Sequence, residues 1–169
     1  NQWVTAAKSL VSGICGIDML AGPSEVLIIA DKSCKPDVVA ADLLAQAEHD
    51  TEARPILVCV DENIAREVNG CLTSRLSTLP TADVAREAIK KGFACICETV
   101  EECVKVSDII GPEHLEIHTE NEVFVGKSCT NYGGLFLGQV SAEVLGDYGV
   151  GPNHVLPTSG TSRYTGGLS

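Results

Sequence analysis

The chain has 169 residues, enough for one domain with a sizeable apolar core. Its 44% hydrophobic content with only 4% aromatic points to a core of Val, Ile, Leu and Ala, the mixture found where buried parallel strands alternate with helices. With 12 Lys plus Arg against 23 Asp plus Glu and a formal charge of -11, no stretch clusters enough basic residues to favour nucleic acid or an anionic membrane as a partner.

Residues 3–12 carry an amphipathic helical pattern, so the sequence opens at Asn1 inside an element and the only methionine is Met19. The chain is therefore expected to be a piece of something longer, with residues 1–25 the end of a preceding segment or domain and 26–169 an α/β domain. "VLIIAD" is a run of branched aliphatics bounded by turn residues, which is how a strand buried on both faces reads. Pro36 and Asp37 suit the first turn of a helix that continues to about His49. "PILVCV" is a strand, "ENIAREVNGCLTSRLSTL" a helix interrupted by Gly70, "TADVAREAIKKG" a second helix, and "FACICE" a strand. "TVEECVKVSDII" is a helix in which Thr99 and Glu102 have the spacing of a capping box, and "HLEIHT" is a short strand.

This order predicts an α/β fold: a mainly parallel sheet with flanking helices, built from strands at 26–31, 56–60, 93–98 and 115–118. From Val123 onward glycines crowd in, and "GDYGVGPNHVLPTSGTSRYTGG" is too rich in Gly, Pro, Ser and Thr for a regular element.

Eight cysteines lie at 15, 34, 59, 71, 95, 97, 103 and 129, with no CxxC pair and no zinc-finger spacing. Several fall inside apolar runs, where a free thiol behaves as a small hydrophobe. A reducing compartment, and hence a soluble cytoplasmic or plastid protein, is the expectation. No apolar run approaches the ~20 residues of a membrane helix.

In an open parallel sheet, ligands bind at the carboxyl ends of the strands, and several candidate polar groups lie in or beside connections flanking strands, although residue spacing does not say at which end of the sheet each falls. Gln46 and His49 in "DLLAQAEHD" are three apart on one helical face, so both could point at one object, although a solvated helix end is the plainer reading. "GPEHLEI" sets Glu113 beside His114 after a Gly-Pro turn. A carboxylate and an imidazole there could activate water and shuttle a proton, or simply be solvated. Asp147 and His154 sit where glycines allow close approach to a ligand. Ser24 could contact a substrate or end a turn. Cys15 has no neighbouring base, and His118 reads as surface.

Taken together, "IDMLAGPSEVLIIAD", "AADLLAQAEHD", "GPEHLEI" and "GDYGVGPNHVLPTSGTSRYTGGLS" resemble, in order and spacing, the motifs of the histidinol dehydrogenases. The resemblance implies an incomplete Rossmann-like domain of a zinc- and NAD-dependent homodimer that oxidises L-histidinol to L-histidine through the aldehyde. It implies Gln46, His49 and Asp147 as zinc ligands that also place the substrate, His114 as the base and a substrate contact, Glu113 as the activator of water, and Ser24 as a substrate contact. His154 lies in a family motif without an assigned role. The family's fourth zinc ligand, a histidine from the other subunit, falls outside this chain, and no NAD-contacting residue can be named, since no GxGxxG occurs. The alternative is a metal- or partner-binding domain of this family without catalysis of its own, and the isolated piece is expected to be inactive.

Overall fold

The computed structural model describes residues 2–20, 22–147 and 156–165, with the backbone alone for Gln2 and Asp147. In chain order the elements are α1 (Gln2–Val11), β1 (Glu25–Ala30), α2 (Pro36–Ala47), β2 (Arg54–Cys59), α3 (Glu62–Leu76) and α4 (Ala82–Ile89). They continue as β3 (Phe93–Ile96), α5 (Val100–Ile110), β4 (His114–His118), α6 (Glu122–Ser128), β5 (Gly134–Leu137), the short α7 (Val144–Asp147) and a 3-10 turn at Thr161–Arg163. The strands form one five-stranded sheet in the order β3-β2-β1-β4-β5, every pairing parallel.

Strand alternation explains how the core divides. Val26, Ile28 and Ala30 point to one face, where they meet Val39, Ala40 and Leu43 of α2 and Ile64 and Val68 of α3. Leu27, Ile29, Leu115 and Ile117 point to the other, against Cys103 of α5 and Val125 of α6. On β4 the partners of Val26, Ile28 and Ala30 are His114, Glu116 and His118. The strand that looks half-apolar in sequence thus presents three polar side chains to the α2 face, all of them buried. No helix among the described residues is long and apolar enough to cross a membrane.

The α/β architecture is as the sequence predicts, with three local differences. Gly70 does not interrupt α3, because Ile64 and Val68 anchor the helix on the sheet and outweigh a cost of about 1 kcal/mol for glycine in a helix. Thr99 caps α5 by accepting from the Glu102 amide at 3.2 Å, but Glu102 returns its bond to Glu98 N–H at 2.9 Å rather than to Thr99. The glycine-rich region contains α6 and β5, whose short "GLFL" run gains definition only by pairing with β4.

All eight cysteines are free thiols. Burial pushes Cys34 and Cys129 up to about 11, as expected for packing groups rather than nucleophiles.

Candidate active site

The amino edge of the β1–β4 pair concentrates the polar chemistry. Because Val26 lies opposite His114, the residue before it, Glu25, presents its backbone to both members of the adjacent pair. Its N–H donates to Glu113 Oε2 at 3.0 Å, and its carbonyl lies 3.0 Å from His114 Nδ1. A carbonyl can only accept, so Nδ1 carries the proton and Nε2 is left as the basic nitrogen. Nε2 is 3.7 Å from Glu143 Oε1, and Nδ1 is 3.7 Å from Glu113 Oε2. The imidazole therefore stands between two carboxylates while its own tautomer is fixed by backbone. The Phe136 ring, 6.0 Å away centroid to centroid, closes its apolar side.

The loop before β5 comes close to this pair. Gly133 N–H donates to the Pro112 carbonyl and Gly134 N–H to the Glu113 carbonyl. A Cβ on Gly133 would lie 2.6 Å from that Glu113 oxygen, so the site requires glycine there.

Helix α2 reaches the same edge from above the sheet. One contact fixes its register: Asp42 Oδ2 is 3.7 Å from His118 Nε2, at the far end of β4. Four residues of helix rise ~6 Å and two residues of strand ~6.6 Å. The end of α2 that carries Gln46 and His49 therefore lies toward the amino end of the strands. Gln46 is fully buried, with Nε2 3.3 Å from His49 Nδ1, and its Oε1 has no hydrogen-bond partner. His49 is exposed beyond the end of α2. Ser24 enters β1 at this edge, its carbonyl accepting from Arg54 N–H at 3.0 Å.

The structure adds to three readings of the sequence. The end of the sheet, which residue spacing leaves open, is the amino edge for these candidates, because Glu113 precedes β4, Ser24 precedes β1 and His49 follows a helix running back along the sheet. His118 is not surface but 1% exposed, facing Glu116 and Asp42. Two acids not singled out from sequence also belong to the site. Glu25, 3% exposed, lies with Oε1 3.7 Å from Arg54 and its Oε2 accepting from Ser159 N–H at 3.2 Å; burial, countered by these two, raises its pKa. Glu143, 6% exposed, faces His114, and its N–H donates to Glu116 Oε1 at 2.9 Å. The only signal for Glu143 was a lone acid in a loop, and for Glu25 an acid opening an apolar strand. Asp147 closes α7 with its side chain outside the described residues, and His154 lies outside them altogether.

The sequence pattern of histidinol dehydrogenases matches residues 1–169. The chain belongs to the histidinol dehydrogenase family. It is 46% identical to the histidinol dehydrogenase of Thermus thermophilus, over 100% of this chain and 41% of that protein. To the Synechococcus enzyme it is 48% identical, over 100% of this chain and 39% of the other. The crystal structure of histidinol dehydrogenase from Elizabethkingia anophelis superposes with a TM-score of 0.94 at 42% identity, covering 100% of this chain and 39% of that one. A propionaldehyde dehydrogenase from Clostridium phytofermentans shares the fold at a TM-score of 0.56 and 16% identity. The chain thus spans about two-fifths of the length of its histidinol dehydrogenase relatives.

Proposed function

We propose that this chain is the central part of a histidinol dehydrogenase, a soluble cytoplasmic or plastid homodimer of histidine biosynthesis that oxidises L-histidinol to L-histidine through L-histidinaldehyde with zinc and two NAD. The observation that carries this reading is the buried Glu113–His114 pair held by the backbone of Glu25, at the edge that also receives Gln46 and His49. Two oxidations with a hydration between them need two different proton acceptors side by side, and this pair supplies them.

His114 Nε2 takes the hydroxyl proton as the carbinol carbon gives up its hydride, and does so again for the aldehyde hydrate. Glu113 takes the proton of the water that adds to the aldehyde. Ser24 contacts the substrate from the start of β1. Zinc, when bound, fixes the substrate's imidazole and amine so that the carbinol lies within reach of the base. Gln46 Oε1, the His49 imidazole and Asp147 would hold it, with a histidine from the other subunit. The fit rests on Gln46: a buried acceptor left without a partner costs about 1–3 kcal/mol, and a cation at Oε1 removes that cost.

In the complete enzyme, His114→Asn is expected to slow histidinol-dependent NADH formation by about 10²–10⁴-fold with the fold intact by circular dichroism. A rate near wild type would overturn His114 as the base, and no histidinol-dependent NADH formation by the wild type would favour a non-catalytic metal- or partner-binding module.

A further inference from the structure

Behind the candidate site, one turn back along α2 and two residues further along β4, lies a second cluster that the proposed reaction does not use. Asp42, Glu116 and His118 each bring one donor atom to within 4.8 Å of the others. His118 Nε2 is 3.3 Å from Glu116 Oε2 and 3.7 Å from Asp42 Oδ2. Glu116 and His118 are each 1% exposed at the side chain and Asp42 13%, so the cluster is buried, with Asp42 its most exposed member.

These groups satisfy one another only in part. Glu116 Oε1 accepts from Glu143 N–H, but Oε2, aimed into the cluster, has no hydrogen-bond partner. Arg75, which lowers the Asp42 pKa, is already bonded to Asp37 at 2.8 and 2.7 Å. Burial first, and the facing Glu116 carboxylate second, push Asp42 up to about 7, against the lowering effect of His118. His118 Nδ1 lacks a partner whether Nε2 meets a cation or a carboxylate, and does not choose between them.

We propose that Asp42, Glu116 and His118 form a structural cation site, distinct from Gln46 and His49, for a divalent ion of the zinc or manganese type. A tetrahedral ion with ligand bonds of ~2.0–2.2 Å holds its donors ~3.3–3.6 Å apart, close to the spacing found here. One imidazole with two carboxylates is a mixed donor set that suits zinc or manganese better than the all-oxygen preference of calcium or magnesium. Two carboxylates and a neutral imidazole around a divalent ion leave no net charge in the interior. The ion would tie α2 to β4, and so fix the spacing of the helix carrying Gln46 and His49 from the strand carrying His114.

The test strips the complete enzyme of metal, restores it with zinc, and counts zinc per chain after gel filtration. Two equivalents are expected in the wild type, and one each in Glu116→Gln, His118→Gln and His49→Asn. A single equivalent lost only in His49→Asn would overturn this site while leaving the proposed function intact. A single equivalent lost only in Glu116→Gln would support this site and contradict the metal ligands proposed for catalysis. Should the cluster variants fail to fold, wild-type crystals soaked in manganese decide. An anomalous peak between the three donor atoms is expected, and its absence at full soaking overturns the proposal.

Discussion

At the scale of single residues, Glu143 shows how a side chain invisible to motif reading can govern one that is visible. His114 Nδ1 is occupied by the Glu25 carbonyl, so any proton gained arrives at Nε2, 3.7 Å from the Glu143 carboxylate. A negative partner there would favour an imidazolium, the form the proposed base takes on gaining a proton. Glu143→Gln in the complete enzyme is therefore expected to lower kcat about 10–100-fold, the scale of a lost orienting partner, with KM changed far less. Steady-state kinetics check this, and Glu143→Asp should recover part of the loss. Glu113, His114, Gln46 and His49 were legible in sequence as polar residues adjacent or at helical spacing. Glu25 and Glu143 were not, because their partners lie 88 residues away for Glu25 and on a different element for Glu143.

At the scale of elements, the site is set by how α2 lies against β4. Leu43, 4% exposed, belongs with Val26, Ile28 and Leu57 of the sheet to one core cluster and lies one turn before Gln46. Leu43→Ala should destabilise the protein by about 2–5 kcal/mol in urea unfolding, and should weaken zinc retention as Gln46 loses its register. Gly133→Ala tests the opposite flank. A Cβ 2.6 Å from the Glu113 carbonyl must push the loop from the pair, and overpacking of this kind costs about 1–3 kcal/mol with a drop in activity. The parallel strands and their helices were readable as alternating aliphatic and amphipathic runs. β5 and α6 were not, because each is short and gains its structure from β4 and the apolar layer beneath, as when Gly126 packs under Leu137.

At the scale of the whole molecule, strand direction decides at which end of the sheet the candidate residues lie. Residues that the sequence placed only "beside strands" gather at the amino edge, since a side chain's end of the sheet depends on strand direction and helix return, which residue spacing does not encode. Burying acids at that edge makes stability depend on pH. Burial raises the pKa of Glu25 above its ordinary 4.5, against the Ser159 amide and Arg54 that lower it. Between the ordinary and the raised value the folded protein holds a proton that the unfolded chain has lost, so this group's contribution is full below 4.5 and fades as pH rises through the folded value. Unfolding free energies measured across this range should show a downward slope for the wild type that is smaller in Glu25→Gln.

The division of labour between Glu113 and His114 is the centre of the account, and the two half-reactions separate them. Glu113→Gln in the complete enzyme should be assayed with histidinaldehyde and with histidinol, following only the first turnover in the second case. Slow oxidation of the aldehyde with the first hydride transfer from histidinol close to wild type is the predicted result. Equal losses in both would contradict it, since a residue that only activates water has no part in the first step.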